Sequence, residues 1–163
     1  MIDEAVATAA RHVLDLSRAK RLRIATAESC TGGLVIGALT DIAGSSDVVD
    51  RGFVTYSNAA KETVLGVPST TLVAHGAVSR ETAEAMARGA LSQSPADLAV
   101  AITGIAGPGG GTPDKPVGLV HFAAARRNGR VIVRERRFGD MGRAEIRRLC
   151  VIEALAMLGE LTS

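Results

Sequence analysis

Hydrophobic residues near the N-terminus recur with helical spacing. Val6, Ala10, Val13 and Leu14 form one apolar face between residues 3 and 20, which predicts an amphipathic first helix. Further helices are predicted at residues 33–39, at 59–65, between Ser79 and Pro95, and along a closing segment whose apolar face consists of Ile146, Leu149, Cys150, Ala154, Met157, Leu158 and Leu161.

Short apolar or alternating segments between these helices predict strands. Residues 98–102 are uniformly apolar, as in a buried central strand, whereas residues 52–57 alternate in side-chain character. The dipeptide Asn128-Gly129 fits the positive φ angles of a two-residue hairpin turn, so the strands on either side of it are expected to be antiparallel neighbours. The predicted strands cover residues 23–27, 52–57, 98–102, 117–125 and 130–136.

The order of these elements indicates the fold class. Helices interleaved with buried strands favour a largely parallel sheet covered on both faces, and the hairpin adds at least one antiparallel strand. We therefore predict an α/β fold, a three-layer α/β/α sandwich with a mixed, mostly parallel sheet. The length of 163 residues suits a single domain over residues 1–163. Ligands bind beyond the carboxyl ends of such strands, so the turns after residues 27, 57 and 102 are the expected site.

Composition narrows the expected partners and compartment. A net charge of +2, three Phe, one Tyr and no Trp give no basis for predicting nucleic-acid binding. No apolar run approaches the roughly 18 residues that span a bilayer, and the N-terminal residues lack a signal-peptide pattern, so we expect no membrane association and a cytoplasmic location. Cys30 and Cys150 are expected to be free thiols there. Scattered histidines, without CxxC or HExxH motifs, predict no metal site.

The first candidate site is the segment 26–33, Thr-Ala-Glu-Ser-Cys-Thr-Gly-Gly, where a predicted strand passes into a helix. Free N–H groups at the start of that helix favour an anion, either a phosphate or the oxyanion formed when an acyl carbon is attacked. In the second case Ser29 would be the nucleophile, with Cys30 as its rival. The alternative is that Ser29 or Thr31 only caps the helix.

The second candidate site lies in residues 52–61. It contains Tyr56, the only tyrosine, and Lys61, one helical turn into the next predicted element. A lysine can act as a general base where burial lowers its pKa toward neutrality. The alternative is an ordinary solvated lysine.

The third candidate site is the Gly- and Pro-rich segment 101–116, which must be mainly a loop. Its spacing matches neither a P-loop nor the GxGxxG dinucleotide motif. Its successive N–H groups could still form a nest for a phosphate, with added charge from Lys115 and a hydroxyl from Thr103. The alternative is a flexible surface connection.

Four ordered motifs together resemble the CinA C-terminal domain family. They are TAESCTGG at residues 26–33, GFVTYSN at 52–58 followed by Lys61, HGAVS at 75–79 and TGIAGPGG at 103–110. The resemblance extends over nearly the whole chain. It implies a three-layer α/β/α fold and hydrolysis of the amide of nicotinamide mononucleotide to nicotinate mononucleotide and ammonia, with no metal or organic cofactor. The expected partner is therefore a small pyridine nucleotide. The sequence does not determine the oligomeric state and is compatible with a homo-oligomer.

The resemblance further implies roles for individual residues. Ser29 is the nucleophile and Lys61 its base, with Tyr56 and Thr103 close by. Two alternatives remain at this point: a non-catalytic nucleotide- or protein-binding module of the same fold, and thiol chemistry that depends on Cys30. The residues expected to bind the substrate are Cys30, Thr31, Gly32, Gly33, Gly104, Gly107, Gly109, Gly110 and Lys115.

Overall fold

The computed structural model describes residues 2–163. Its helices are α1 (Glu4–Ala19), α2 (Leu34–Thr40), α3 (Asn58–Leu65), α4 (Ser69–His75), α5 (Arg80–Ser92) and α6 (Arg143–Leu161), with a 3₁₀ turn at Ser45–Asp47. Its strands are β1 (Ile24–Glu28), β2 (Val49–Val54), β3 (Leu98–Gly104), β4 (Leu119–Arg126) and β5 (Val131–Arg137). Asp3, Ser57 and Ser79 cap α1, α3 and α5, because each side chain accepts a hydrogen bond from the N–H three residues later. None of the helices in residues 2–163 is both long and apolar enough to cross a membrane.

The strands form one sheet in the order β2-β1-β3-β4-β5. β1 pairs in parallel with both β2 and β3, whereas β4 is antiparallel to β3 and β5 is antiparallel to β4. Four strands therefore run in one direction and β4 opposes them. Helices cover both faces of the sheet, which confirms the predicted α/β fold with a mixed, mostly parallel sheet.

The two faces of the sheet carry side chains of different size. One face presents Ile24, Ile102 and Phe122 to the layer formed by α1, α2 and α6. The other face carries alanine side chains and is covered by α5. α5 also lies close to α3: a Cβ added to Gly89 of α5 would lie 2.1 Å from the Leu65 carbonyl oxygen of α3. This tight packing fixes α3 against α5. That second face consists of Ala25, Ala27, Ala99, Ala101, Ala123 and Ala125.

Two segments differ from the elements that the sequence predicts. β2 ends at Val54, so Tyr56 lies in the connection to α3 and not in a strand. The sequence analysis predicts no element at residues 69–75, where the structure has α4. Three of the seven residues of α4 are β-branched, which lowers its helix propensity. Burial of Leu72 against the alanine face stabilises the helix despite that preference.

The β4–β5 hairpin is present as predicted, but its turn is one residue longer. The Gly129 N–H donates to the Arg126 carbonyl over 2.9 Å, and the Arg126 N–H donates to the Arg130 carbonyl over 2.8 Å. Gly129 takes a φ of +102°. A three-residue loop with glycine in the last, positive-φ position satisfies the strand twist without a positive φ at Asn128. The prediction of a two-residue turn is therefore wrong.

Candidate active site

The predicted catalytic side chains converge where β1 and β3 end, beside the start of α3. A cavity of about 210 Å³ lies there. Its walls come from four separate segments of the chain, which are distant in sequence. The lining residues are Ser29, Cys30, Tyr56, Asn58, Lys61, Ala77, Val78, Thr103 and Gly104.

Ser29 and Lys61 form the centre of this site. Lys61 lies one turn into α3, its side chain is 1% exposed, and its Nζ is 3.0 Å from the Ser29 Oγ. The ammonium also donates to the carbonyl oxygens of Thr55 over 3.0 Å and Tyr56 over 3.4 Å. Lys61 is therefore held by neutral oxygen atoms on three sides.

The surroundings of Lys61 shift its protonation equilibrium toward the neutral form. Burial lowers the pKa of the ammonium, and the opposing influence of a negative charge at Cys30 is smaller. No carboxylate contributes to this shift in pKa. A lysine without a carboxylate partner in a desolvated site can act as a general base toward a hydroxyl in contact with it.

Thr103 and Tyr56 occupy different depths of the cavity. Thr103 is buried at the end of β3, where its hydroxyl donates to the Ala77 carbonyl over 2.7 Å. Tyr56 is 61% exposed at the rim. Its phenol oxygen accepts a hydrogen bond of 3.1 Å from Arg143, which also donates to the Gly107 carbonyl over 2.7 Å. Arg143 therefore joins the rim to the glycine-rich loop.

Cys30 contributes to the wall of the cavity, but its side chain belongs to a different layer from Lys61. It is a member of the hydrophobic core that α1, α2 and α6 form with the sheet, together with Cys150. Both cysteines are buried free thiols. The geometry thus pairs the base with the Ser29 hydroxyl and not with the Cys30 thiol.

The start of α2 differs from the prediction that its free N–H groups bind an external anion. The buried carboxylate of Glu28 accepts hydrogen bonds from the N–H groups of Val35 and Ile36, at 2.9 and 3.0 Å. It also accepts from the hydroxyls of Thr31 at 2.7 Å and Thr26 at 3.3 Å. The prediction of an external anion is therefore wrong for these two N–H groups of α2, and only the N–H groups of the turn before the helix remain for it.

The remaining glycines predicted to bind substrate differ in whether they line the cavity. Gly104 lines it, whereas Gly32 and Gly33 lie outside it and form the turn before α2 with φ angles of +56° and +103°. Gly109 and Gly110 are exposed on the loop between β3 and β4 and do not line the cavity.

Lys115, the last of the residues predicted to bind substrate, is not part of the cavity. The Lys115 ammonium lies outside the cavity, where it donates to the His75 carbonyl over 2.7 Å. Within residues 2–163, no three His, Cys, Asp or Glu side chains converge in a way that could hold a metal ion.

Comparison with known families gives the context for this geometry. A family model described as CinA C-terminal domain matches residues 6–162. The chain belongs to the CinA C-terminal domain family. The crystal structure of competence/damage inducible protein CihA from Agrobacterium tumefaciens superposes with a TM-score of 0.98 at 56% identity, and the match covers 100% of this chain and 99% of that one.

Curated relatives of this chain carry three kinds of name. A protein from Enterobacter agglomerans, 54% identical over 76% of this chain and 76% of its own length, is named nicotinamide-nucleotide amidohydrolase PncC. A protein from Anaeromyxobacter dehalogenans, 54% identical over 83% of this chain, is named only CinA-like protein. The chain spans only 25–33% of the length of five relatives that are named CinA-like protein or putative competence-damage inducible protein.

The sequence did not predict that Glu28 and Arg147 bind the turn after Ser29. It also did not predict the contact between Arg143 and Tyr56. Glu28 lies within the first motif, but the sequence does not show whether a carboxylate at the end of a strand is buried. Arg143 and Arg147 lie on α6, 87 residues from Tyr56 and 116 residues from Thr31. No local pattern predicts contacts of that sequence separation.

Proposed function

We propose that this chain hydrolyses the carboxamide of nicotinamide mononucleotide to nicotinate mononucleotide and ammonia. The observation that carries the proposal is the 3.0 Å contact between the Ser29 Oγ and the Nζ of Lys61, a buried lysine without a carboxylate partner. A hydroxyl that touches such a base is the arrangement that acyl transfer requires. The name of the E. agglomerans relative supports the choice of substrate.

The reaction would proceed through an ester on Ser29. Neutral Lys61 accepts the hydroxyl proton while the Ser29 Oγ attacks the carboxamide carbon, and the tetrahedral intermediate then collapses. Breaking the C–N bond transfers the proton from Lys61 to the departing amine, which leaves as ammonia. Lys61 next deprotonates a water molecule, which cleaves the ester and releases the nicotinate nucleotide and the free Ser29 hydroxyl.

The turn after Ser29 offers donors for the oxyanion. The N–H groups of Cys30 and Thr31 make no hydrogen bond to another residue among residues 2–163. They follow the nucleophile directly, which is where acyl-transfer enzymes commonly place such donors. We assign the developing negative charge on the carboxamide oxygen to these two groups, because Glu28 occupies the N–H groups of α2.

The size of the cavity indicates how the nucleotide would bind. A volume of about 210 Å³ is smaller than the roughly 300–1,000 Å³ of pockets that enclose a drug-sized ligand. The cavity would therefore take the pyridine ring and its carboxamide, while the ribose and phosphate extend past Tyr56. Arg143 stands at that rim with its guanidinium exposed, and Arg is well suited to bind a phosphate.

Arg143→Ala is expected to raise the KM for nicotinamide mononucleotide about tenfold and to leave kcat within a few-fold, because the phosphate does not react. Lys115→Ala is the matched comparison, since it also removes one exposed cation beside the site. It should change KM less than threefold. Steady-state ammonia release measures both. The opposite ranking would move the phosphate to the glycine-rich loop.

The rate is expected to rise with pH and then level off. Lys61 is active as a base only when neutral, and burial holds its pKa below the ordinary value of about 10.4. At any lower pH the neutral fraction is therefore larger than for a solvated lysine, and activity is lost as the pH falls through the lowered pKa. A pH profile of kcat/KM checks this, and a rate that increases on acidification through neutrality would contradict the role of Lys61.

Ammonia release from nicotinamide mononucleotide by the purified protein tests the proposed function itself. Turnover abolished in Ser29→Ala is the expected result. Nucleotide binding by calorimetry without turnover, at substrate concentrations well above the dissociation constant, would instead identify a non-catalytic binding module.

A further inference from the structure

Arg147 of α6 holds the turn that follows Ser29. Its Nε donates to the Cys30 carbonyl over 3.1 Å, and its Nη2 donates to the Thr31 carbonyl over 3.2 Å. One planar guanidinium thus binds two successive carbonyl groups, which a single ammonium could not do with the same geometry. Arg147 does not line the cavity of the candidate active site.

Fixing a carbonyl group also fixes the N–H group of the same peptide. In a trans peptide the C=O and N–H bonds point in opposite directions, so the contact to the Cys30 carbonyl sets the direction of the Thr31 N–H. That N–H has no acceptor within residues 2–163. A positive charge at the carbonyl end also polarises the peptide and strengthens its N–H as a donor.

The turn is shaped to accept this guanidinium. Gly32 has a φ of +56°, and a Cβ added there would lie 3.3 Å from the Arg147 Nη2. A side chain at position 32 would therefore strain the backbone and crowd the contact. Glu28 anchors the same turn through the Thr31 hydroxyl. The turn is clamped between a buried carboxylate and an arginine from a distant helix.

We propose that Arg147 is a positioning residue that orients the Cys30–Thr31 peptide so that its N–H stabilises the oxyanion formed at Ser29. This inference rests on the proposed acyl transfer and adds to it a residue that never touches the substrate. It requires that loss of Arg147 slow the chemical step while leaving nucleotide binding nearly unchanged.

Arg147→Ala is expected to lower kcat about 100-fold, the loss typical of one missing oxyanion donor, while KM changes less than threefold. Arg148→Ala is the matched control: Arg148 is the next residue on α6 and bonds to Asp3 and Glu145, not to the turn. It should keep kcat within about threefold. A kcat for Arg147→Ala within that same range, or an equal loss in both variants, would overturn the proposal.

Chemical rescue separates positioning from a merely structural role. Arg147 borders a second, open cavity of about 630 Å³ between α1, α2 and α6, through which a small cation can reach the vacated position. Millimolar methylguanidinium should raise the kcat of Arg147→Ala about tenfold and leave Arg148→Ala unchanged. No rescue, with both variants equally stable to heat, would count against the positioning role.

Two further measurements test the role of Arg147 if Arg147→Ala does not fold or if the unaltered protein releases no ammonia. If Arg147→Ala does not fold, Arg147→Lys should, and a kcat equal to that of the unaltered protein would overturn the bidentate role. If the unaltered protein releases no ammonia, the proposed function fails while the oxyanion site is still measurable, because fluorophosphonates label an activated serine through an oxyanion-like adduct. Slower labelling of Ser29 in Arg147→Ala than in Arg148→Ala would support the proposal, and equal rates would overturn it.

Discussion

Ser29→Ala and Lys61→Ala are each expected to lower kcat for the hydrolysis of nicotinamide mononucleotide by at least about a thousandfold. Ser29 supplies the attacking oxygen, and Lys61 supplies the base 3.0 Å from it. Because the two groups act in one proton transfer, the double variant should be scarcely slower than either single variant. Single-turnover assays with excess enzyme measure these rates and exclude an effect on product release.

Two controls distinguish catalysis from folding and from thiol chemistry. Lys61→Met keeps most of the buried stem but removes the base, so its thermal stability should equal or exceed that of the unaltered protein while its activity is lost. Cys30→Ala should keep most of the activity, since the Cys30 side chain packs in the hydrophobic core that α1, α2 and α6 form with the sheet. A Ser29→Ala variant that folds and keeps more than roughly a tenth of the rate, together with an inactive Cys30→Ala variant, would move the nucleophile to Cys30.

The meeting of Ser29 and Lys61 follows from features that the sequence contains. Ser29 comes directly after β1, and the segment carrying Lys61 comes directly after β2. β1 and β2 pair in parallel, so their carboxyl ends lie at the same edge of the sheet. The alternation of helices and strands predicts that the turns after these strands share one edge of the sheet, whereas the pairing of Ser29 with Lys61 is implied only by the family resemblance.

The residues around Ser29 and Lys61 are placed by contacts between distant segments of the chain. No local sequence pattern predicts such contacts. α3, which carries Lys61, packs tightly on α5 at Gly89, a close approach that composition alone does not indicate. Arg143 and Arg147 reach the site because α6 packs beside the start of α2. The phosphate-binding role predicted for Lys115 rested on its place in a glycine-rich loop. In the structure its ammonium donates to a carbonyl outside the cavity, whereas Arg143 stands at the rim.

Glu28 shows the same dependence on tertiary structure. In the first motif, the serine, cysteine and glycines are the residues whose types suggest a catalytic site. The glutamate of that motif, however, is the residue that organises the turn. The carboxylate is fully buried and accepts four hydrogen bonds. It connects the end of β1 to the first N–H groups of α2 across the five intervening residues, 29–33.

Glu28→Ala is expected to destabilise the fold by about 3 kcal/mol or more. The substitution leaves the N–H groups of Val35 and Ile36 and the Thr31 hydroxyl buried without their acceptor, and each such group costs about 1–3 kcal/mol. For a chain of this length, that loss corresponds to a fall in melting temperature of roughly 6–12 °C. Thermal unfolding followed by circular dichroism measures it.

Glu28→Gln tests whether hydrogen-bond acceptance, and not side-chain volume, is what stabilises the turn. Glutamine keeps the shape of glutamate but turns one oxygen into an N–H donor, which would face the N–H of Val35 or Ile36. We expect it to be destabilising by about 1–3 kcal/mol, less than Glu28→Ala, with faster hydrogen exchange at those two amides. Glu62→Ala, a substitution at a half-buried position of α3 outside the turn, should change stability by less than about 0.5 kcal/mol. If Glu28→Gln were as stable as the unaltered chain and kept both amides protected, α2 would not depend on this carboxylate, and Ser29 would owe its position to β1 and Arg147.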